Sequence, residues 1–194
     1  MNKHIQELVC SLFKHCRSTL GHSLRVADEL HKFSSFIDIK PSAEIYYMGA
    51  VHDIGKLKIS SSLLNKTGKL TISEKHELSM HAIYGKQILQ EKKVFSEEFM
   101  NIILYHHENL DGSGYYGLKG QEIPLFSRML RIIDSYDAML YGRAYQSPIN
   151  EEQIKLEIET LKTTIFDAEL VCSFLHYIEA KKQRMLVEKL QLSR

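Results

Sequence analysis

The chain of 194 residues has no tryptophan, only three cysteines, only three prolines and ten glycines. Cys10, Cys16 and Cys172 are odd in number and lack the paired spacing of a thiolate site, which argues against a disulfide framework and for reduced thiols in a cytoplasmic protein. Charge of one sign is also missing, with 25 Lys+Arg against 24 Asp+Glu and a net charge of +1. That balance gives no basic surface for wrapping long DNA or RNA. Long hydrophobic runs are absent too. The early stretch from Leu8 to Phe13 is flanked by histidines and too short for a signal peptide or a membrane span, so no membrane insertion is expected. The 44% apolar and 25% charged fractions suit a globular fold, and the length suits one domain.

Helical periodicity runs through most of the chain, and no alternating stretch suggests a sheet. The pattern predicts helices near residues 2–18, 20–37, 42–56, 71–91, 96–108, 122–141, 150–162 and 167–191. Ser42 after Pro41, Thr71 with Glu74, and Asn150 are the expected N-terminal caps. The expected class is all-α: a single-domain helical bundle with an N-terminal helix at 1–19, a main unit at 20–180 and a basic helix end at 181–194. That end holds five Lys/Arg against one Glu and reads as a solvated face.

What the chain has in excess is histidine, ten in all. Several sit where a helix should be apolar. His22 leads a stripe of Val26, Leu30, Phe33 and Ile37; His52 follows Ile45, Met48 and Gly49, with Asp53 beside it. His81 lies between Leu78 and Gly85, His106 and His107 end the stripe of Phe99, Ile102 and Ile103, and Asp134 falls on the face of Leu130. One such histidine would be an ordinary hydrogen-bonded core residue. Seven ionisable groups on five helices are a different matter, because burying an unpaired polar group costs roughly 2–7 kcal/mol and a charge more. A metal centre offsets that cost for all seven at once.

Adjacent residues on a helix point about 100° apart, so His106 and His107 share a site only if it is large or lies at the helix end. A site with two ions accepts both, and a carboxylate such as Asp53 can bridge two ions where imidazole cannot. Lys56, three residues after Asp53, returns to the same face. Two ions beside a lysine suit phosphoryl transfer: the ions activate a water and stabilise phosphate oxygens, and the lysine neutralises developing charge.

At these residues the chain resembles the HD superfamily of metal-dependent phosphohydrolases, and within it the HD-GYP branch. His52-Asp53-Ile54-Gly55-Lys56 matches the HD-x-GK motif, and the stretch from Leu63 to Thr71 matches the linker after it. His81, His106-His107-Glu108, Asp111-Gly112-Ser113-Gly114-Tyr115, Ile123-Pro124, Asp134 to Met139 and Phe166-Asp167 follow in family order. The resemblance implies a helical bundle around a binuclear centre that hydrolyses cyclic dinucleotides, chiefly cyclic di-GMP. By position, His22, His52, Asp53 and Asp134 would hold one ion, with Asp53 bridging to a second held by His81, His106 and His107. Iron or manganese is implied; the donor types alone also allow zinc, nickel or magnesium. Asp53 and Lys56 would be catalytic, and Lys56, Arg143, Tyr115 and Gln146 would touch substrate. Glu108 and Asp137 are candidates to orient ligands or cap helices, and Ser113 and Gly114 are equally a pocket wall or a plain turn.

Three departures stand out. The branch's Gly-Tyr-Pro appears as Gly114-Tyr115-Tyr116 in a loop one residue short; Gln146 stands where the family has a cation; and Ser18 stands where some members place a glutamate for a third metal, so two ions are expected. Competing readings are a phosphohydrolase of another nucleotide, such as cyclic GMP-AMP, and a catalytically weak module that binds metal or nucleotide and signals through a regulatory protein or as a homodimer.

Overall fold

The computed structural model describes residues 2–142 and 147–192. In chain order these form α1 (Asn2–His15), α2 (Arg17–Phe36), α3 (Ala43–Val51), α4 (Ser61–Leu64), α5 (Ile72–Ser79), α6 (His81–Lys92), α7 (Glu97–Leu104), α8 (Leu125–Tyr141), α9 (Glu151–Thr160) and α10 (Ala168–Leu192). Two 3-10 turns lie at Ile54–Lys58 and Gly120–Glu122. The architecture is all-α, as the periodicity predicts. The extended pairing among the described residues is an isolated bridge between Lys162 and Phe166. Among the described residues no helix is long and apolar enough to cross a membrane.

Helix α2 is the hub, packing against α1, α3, α8 and α10. The stripe below His22 does this: Val26, Leu30 and Phe33 are fully buried, and each such side chain contributes about 1.5–3 kcal/mol when removed from water. Phe33 meets Phe174 of α10 edge to face, ring centroids 5.2 Å apart, and Phe174 meets Tyr136 of α8 at 5.3 Å. Helix α1 adds Ile5, Leu8 and Leu12 to the same core. Helix α10 runs past it: Tyr177 and Ile178 are buried, whereas Met185, Leu186 and Val187 are exposed. Lys181 and Lys182 there pair with Glu29 and Glu151.

The three expected caps form: Ser42, Thr71 and Asn150 each accept a backbone N–H, and Thr71 with Glu74 closes a full capping box. Three helices are shorter than the periodicity predicts. The one expected to 56 ends at Val51, so that His52 and Asp53 lie in a turn before the 3-10 segment. The one expected over 71–91 breaks at Met80, and His81 opens α6. The one expected to 108 ends at Leu104, placing His106 and His107 in the turn beyond it. Each break falls beside a candidate ligand, where side chains must leave the helix direction to converge.

Candidate metal centre

Two groups of potential ligands face one another in the bundle: His22, His52 and Asp53, and His81, His106 and His107, with ligand atoms inside each group all within 4.8 Å of one another. Asp53, 1% exposed, divides its carboxylate between them. Its Oδ2 lies 3.5 Å from His52 Nε2 and 3.9 Å from His22 Nε2, and its Oδ1 lies 3.3 Å from His81 Nε2. Asp134 on α8 also faces both groups, with Oδ1 2.9 Å from His22 Nε2 and Oδ2 4.0 Å from His107 Nδ1. The seven residues singled out in the sequence thus converge.

The local backbone sets the orientation of the rings. His52, His81 and His106 each donate Nδ1–H to the carbonyl three residues earlier, those of Gly49, Leu78 and Ile103, at 2.7, 2.6 and 2.5 Å. This fixes the tautomer and leaves Nε2 as an inward lone pair. His22 is oriented from outside its helix: Nδ1 donates to Asp137 Oδ2 at 2.7 Å, and Arg25 grips the same carboxylate through Nε and a terminal nitrogen, both at 2.8 Å. Orientation of this kind is what metal-ligating imidazoles need.

The donor set fits a cation on two further counts. His52 Nε2 is buried and has no hydrogen-bond partner. His81 Nε2 and His106 Nε2 lie 3.2 Å apart although both Nδ1 atoms carry the proton, so two lone pairs point at one another. Such an arrangement is unfavourable unless a positive charge sits within reach.

Electrostatics agree. Burial pushes His52, His106 and His107 below the usual imidazole range and His81 down to about 4, against the pull of the nearby carboxylates. Burial alone would raise Asp53, but nearby positive charge, that of Lys56 foremost, outweighs it and holds the group well below the usual carboxylate range. Neutral imidazoles around an ionised aspartate are the protonation states a divalent ion requires.

Lys56, in the 3-10 turn, places Nζ 2.5 Å from Asp53 Oδ2. The turn can sit there because Gly55 lacks a side chain: a Cβ would fall 1.8 Å from the His81 carbonyl oxygen. His22, Lys56, His81 and His107 form one wall of an open cavity of about 810 Å³, with Tyr115, Tyr141 and leucines of α4 and α5 around it. Tyr115 stands beside His107, ring centroids 5.0 Å apart. Ser113 and Gly114 do not line this cavity; Asp111 Oδ1 accepts the Ser113 N–H, an ordinary turn. Glu108, 2% exposed, turns from the candidate ligands and accepts the N–H groups of Tyr116 and Leu118 at 2.8 and 2.7 Å. Arg143 and Gln146 lie outside the described residues. Arg25 and Tyr141 were not singled out from sequence; the three-residue step from His22 to Arg25 was the available signal for the first, and nothing local marks the second.

A helical bundle that gathers two histidine groups around a shared aspartate defines a class of metal-centred folds. The chain belongs to the HD domain family, whose pattern matches residues 16–170. It is 36% identical over 153 residues to a cyclic di-GMP phosphodiesterase of Thermotoga maritima, covering 78% of this chain and 40% of that protein. It is 35% identical over 159 residues to the 3′3′-cGAMP-specific phosphodiesterase 2 of Vibrio cholerae, covering 80% of this chain and 30% of that one. Among solved structures, the HD domain of the L. monocytogenes phosphodiesterase PgpH has the same fold, with a TM-score of 0.68 at 15% identity over 92% of this chain and 98% of that one. The chain spans less than half the length of the curated relatives it matches.

Proposed function

We propose that the chain is a phosphodiesterase unit that opens a cyclic dinucleotide, cyclic di-GMP foremost, to a linear product. The observation that carries this reading is the division of the two Asp53 oxygens between two histidine groups, of which His22, His81 and His107 reach the wall of the cavity. In it, His22, His52, Asp53 and Asp134 hold one ion and His81, His106, His107 and Asp53 the other, iron or manganese. Bound ions supply an acidified water and electrostatic stabilisation of the phosphate oxygens. The protein's own part is to bind and orient. Lys56 offers an ammonium beside Asp53 for a phosphate oxygen, and Tyr115 walls the cavity next to His107. Arg143 and Gln146 add phosphate contacts by the family resemblance. A cavity of about 810 Å³ is in the size range of small-ligand sites. The V. cholerae relative supports 3′3′-cGAMP as a second substrate of the same site.

The test is metal content after anaerobic purification with iron or manganese, followed by chromatography of products from cyclic di-GMP and 3′3′-cGAMP. Two ions per chain and linear product, lost in Asp53→Ala, are expected. Two ions with tight nucleotide binding and no product point to a binding module. Absence of bound metal overturns both.

A further inference from the structure

We propose that Tyr141, backed by Arg25, is the surface on which a purine base of the nucleotide stacks, and so a specificity-determining residue of the site. The inference rests on the phosphodiesterase reading and names the ligand class it favours. Tyr141 is the last residue of α8, and Gly142, with φ 75, ends the helix directly after it. The ring is 55% exposed yet lines the cavity that contains His22, Lys56 and His81. No hydrophobic core holds it. The Arg25 guanidinium does, 4.1 Å from the ring centroid.

That guanidinium is itself held in place. Both Asp137 oxygens grip it at 2.8 Å, and one of them also accepts His22 Nδ1–H. The stack Tyr141, Arg25, Asp137, His22 therefore runs without a break from the cavity rim to the candidate metal centre. A bidentate arginine is a planar, preorganised plate, and a ring lying on it loses little further freedom when a base arrives. The cation on one face also draws electron density from the ring, which favours an electron-rich purine over a pyrimidine on the rest of its surface. Fixing a base there, linked through the macrocycle to its phosphates, sets which phosphodiester meets Lys56.

The experiment compares wild type, Tyr141→Phe and Tyr141→Leu, all metal-loaded. Steady-state hydrolysis is measured with cyclic di-GMP and cyclic di-UMP, and rapid mixing follows a cyclic dinucleotide carrying 2-aminopurine, whose fluorescence is quenched by stacking before turnover. Tyr141→Phe should match wild type. Tyr141→Leu should raise KM for cyclic di-GMP about tenfold, leave kcat within about twofold, change KM for cyclic di-UMP far less and lose most of the quenching. Wild-type KM and full quenching in Tyr141→Leu would overturn the stacking role while leaving the phosphodiesterase reading intact, and so would a fall in kcat at unchanged KM. A wild type that neither binds the probe nor hydrolyses cyclic di-GMP overturns the phosphodiesterase reading, and the stacking role with it.

Discussion

Asp137 accepts the Nδ1–H of His22 at 2.7 Å while both its oxygens hold Arg25, so one buried carboxylate orients a candidate metal ligand and anchors a cation of the cavity wall. Burial alone would raise this carboxyl, but the hydrogen bonds from His22 and Arg25 outweigh it and lower it. It is ionised at neutral pH and strengthens the basicity of His22 toward a metal.

Asp137→Asn therefore tests the orientation directly. The amide keeps the shape but loses the charge, and one of its two polar ends now faces a donor with a donor. Affinity for one of two ions should fall about 10–100-fold, the usual cost of losing such a partner, while the second ion binds as before. Metal titration by calorimetry, with stoichiometry read from the isotherm, checks this. Equal loss at both sites would count against the ligand grouping.

Glu108 is the second prediction. It is buried and accepts the N–H groups of Tyr116 and Leu118, tying down the loop that carries Tyr115. From the other side, Leu110 and Asp111 donate their N–H groups to the carbonyls of Ile165 and Thr164. Glu108→Ala leaves two N–H groups without an acceptor, at about 1–3 kcal/mol each. Thermal unfolding should register that loss. Metal content should stay at the wild-type value, because Glu108 faces the loop and not the ligands, and KM should rise as Tyr115 loses its place.

Three glycines should separate backbone from side-chain crowding. A Cβ at Gly55 falls 1.8 Å from the His81 carbonyl oxygen and 2.5 Å from Gly85 N, and one at Gly49 falls 2.4 Å from Ala27 Cα. Neither neighbour can move without shifting a helix. At Gly85 the nearest atom is Ile103 Cγ2 at 3.1 Å, a side-chain methyl and not backbone, so the neighbour has to give by only a few tenths of an ångström. Gly55→Ala and Gly49→Ala should each destabilise by about 3 kcal/mol or more, beyond the usual range for overpacking, and Gly55→Ala should also lose metal by displacing His81. Gly85→Ala should cost about 1 kcal/mol. Denaturant unfolding ranks the three, and a Gly55 variant as stable as the Gly85 one would refute the close approach.

Much of this arrangement was legible in the sequence because it is local. The caps at Ser42, Thr71 and Asn150 are written within four residues each, and the candidate ligands stand out because they interrupt apolar stripes. The helix ends at Val51, Ser79 and Leu104 were not legible, and the reason is the same stripes. Ile54 and His106 keep the helical period running through positions where the chain has already turned. Met80 is the plainest case: its backbone remains in the right-handed helical region, φ −64 and ψ −15, with no glycine or proline to mark the break. The close approach of Gly55 to His81 goes with it, and that contact joins residues far apart in the chain. The roles of Glu108 and of Arg25 with Tyr141 are tertiary in the same sense.

The last prediction concerns acid. Burial depresses His52, His106 and His107, and His81 to about 4, while an unfolded chain titrates histidine near 6.5. Below pH ~6.5 the unfolded state thus binds more protons than the folded state, and stability rises with pH in that window. The contribution is fully present above pH ~6.5 and is lost as pH falls toward about 4, with His81 alone accounting for on the order of 3 kcal/mol. Asp53, held low, acts in the same direction at still lower pH. Metal-free protein should therefore lose thermal stability steeply between pH 6.5 and about 4. Bound ions compete with protons for the same nitrogens, so saturating manganese should raise the stability above pH 6.5 by about 2.7 kcal/mol for each ion bound at a hundredfold excess over its Kd and make the acid loss steeper. His81→Gln, which removes one titrating group, should flatten the slope of the metal-free protein by about one proton. Melting temperatures across pH 4–8, with and without manganese, measure all three; a metal-free stability flat from pH 6.5 to 4.5 would mean these imidazoles are not neutral in the folded bundle.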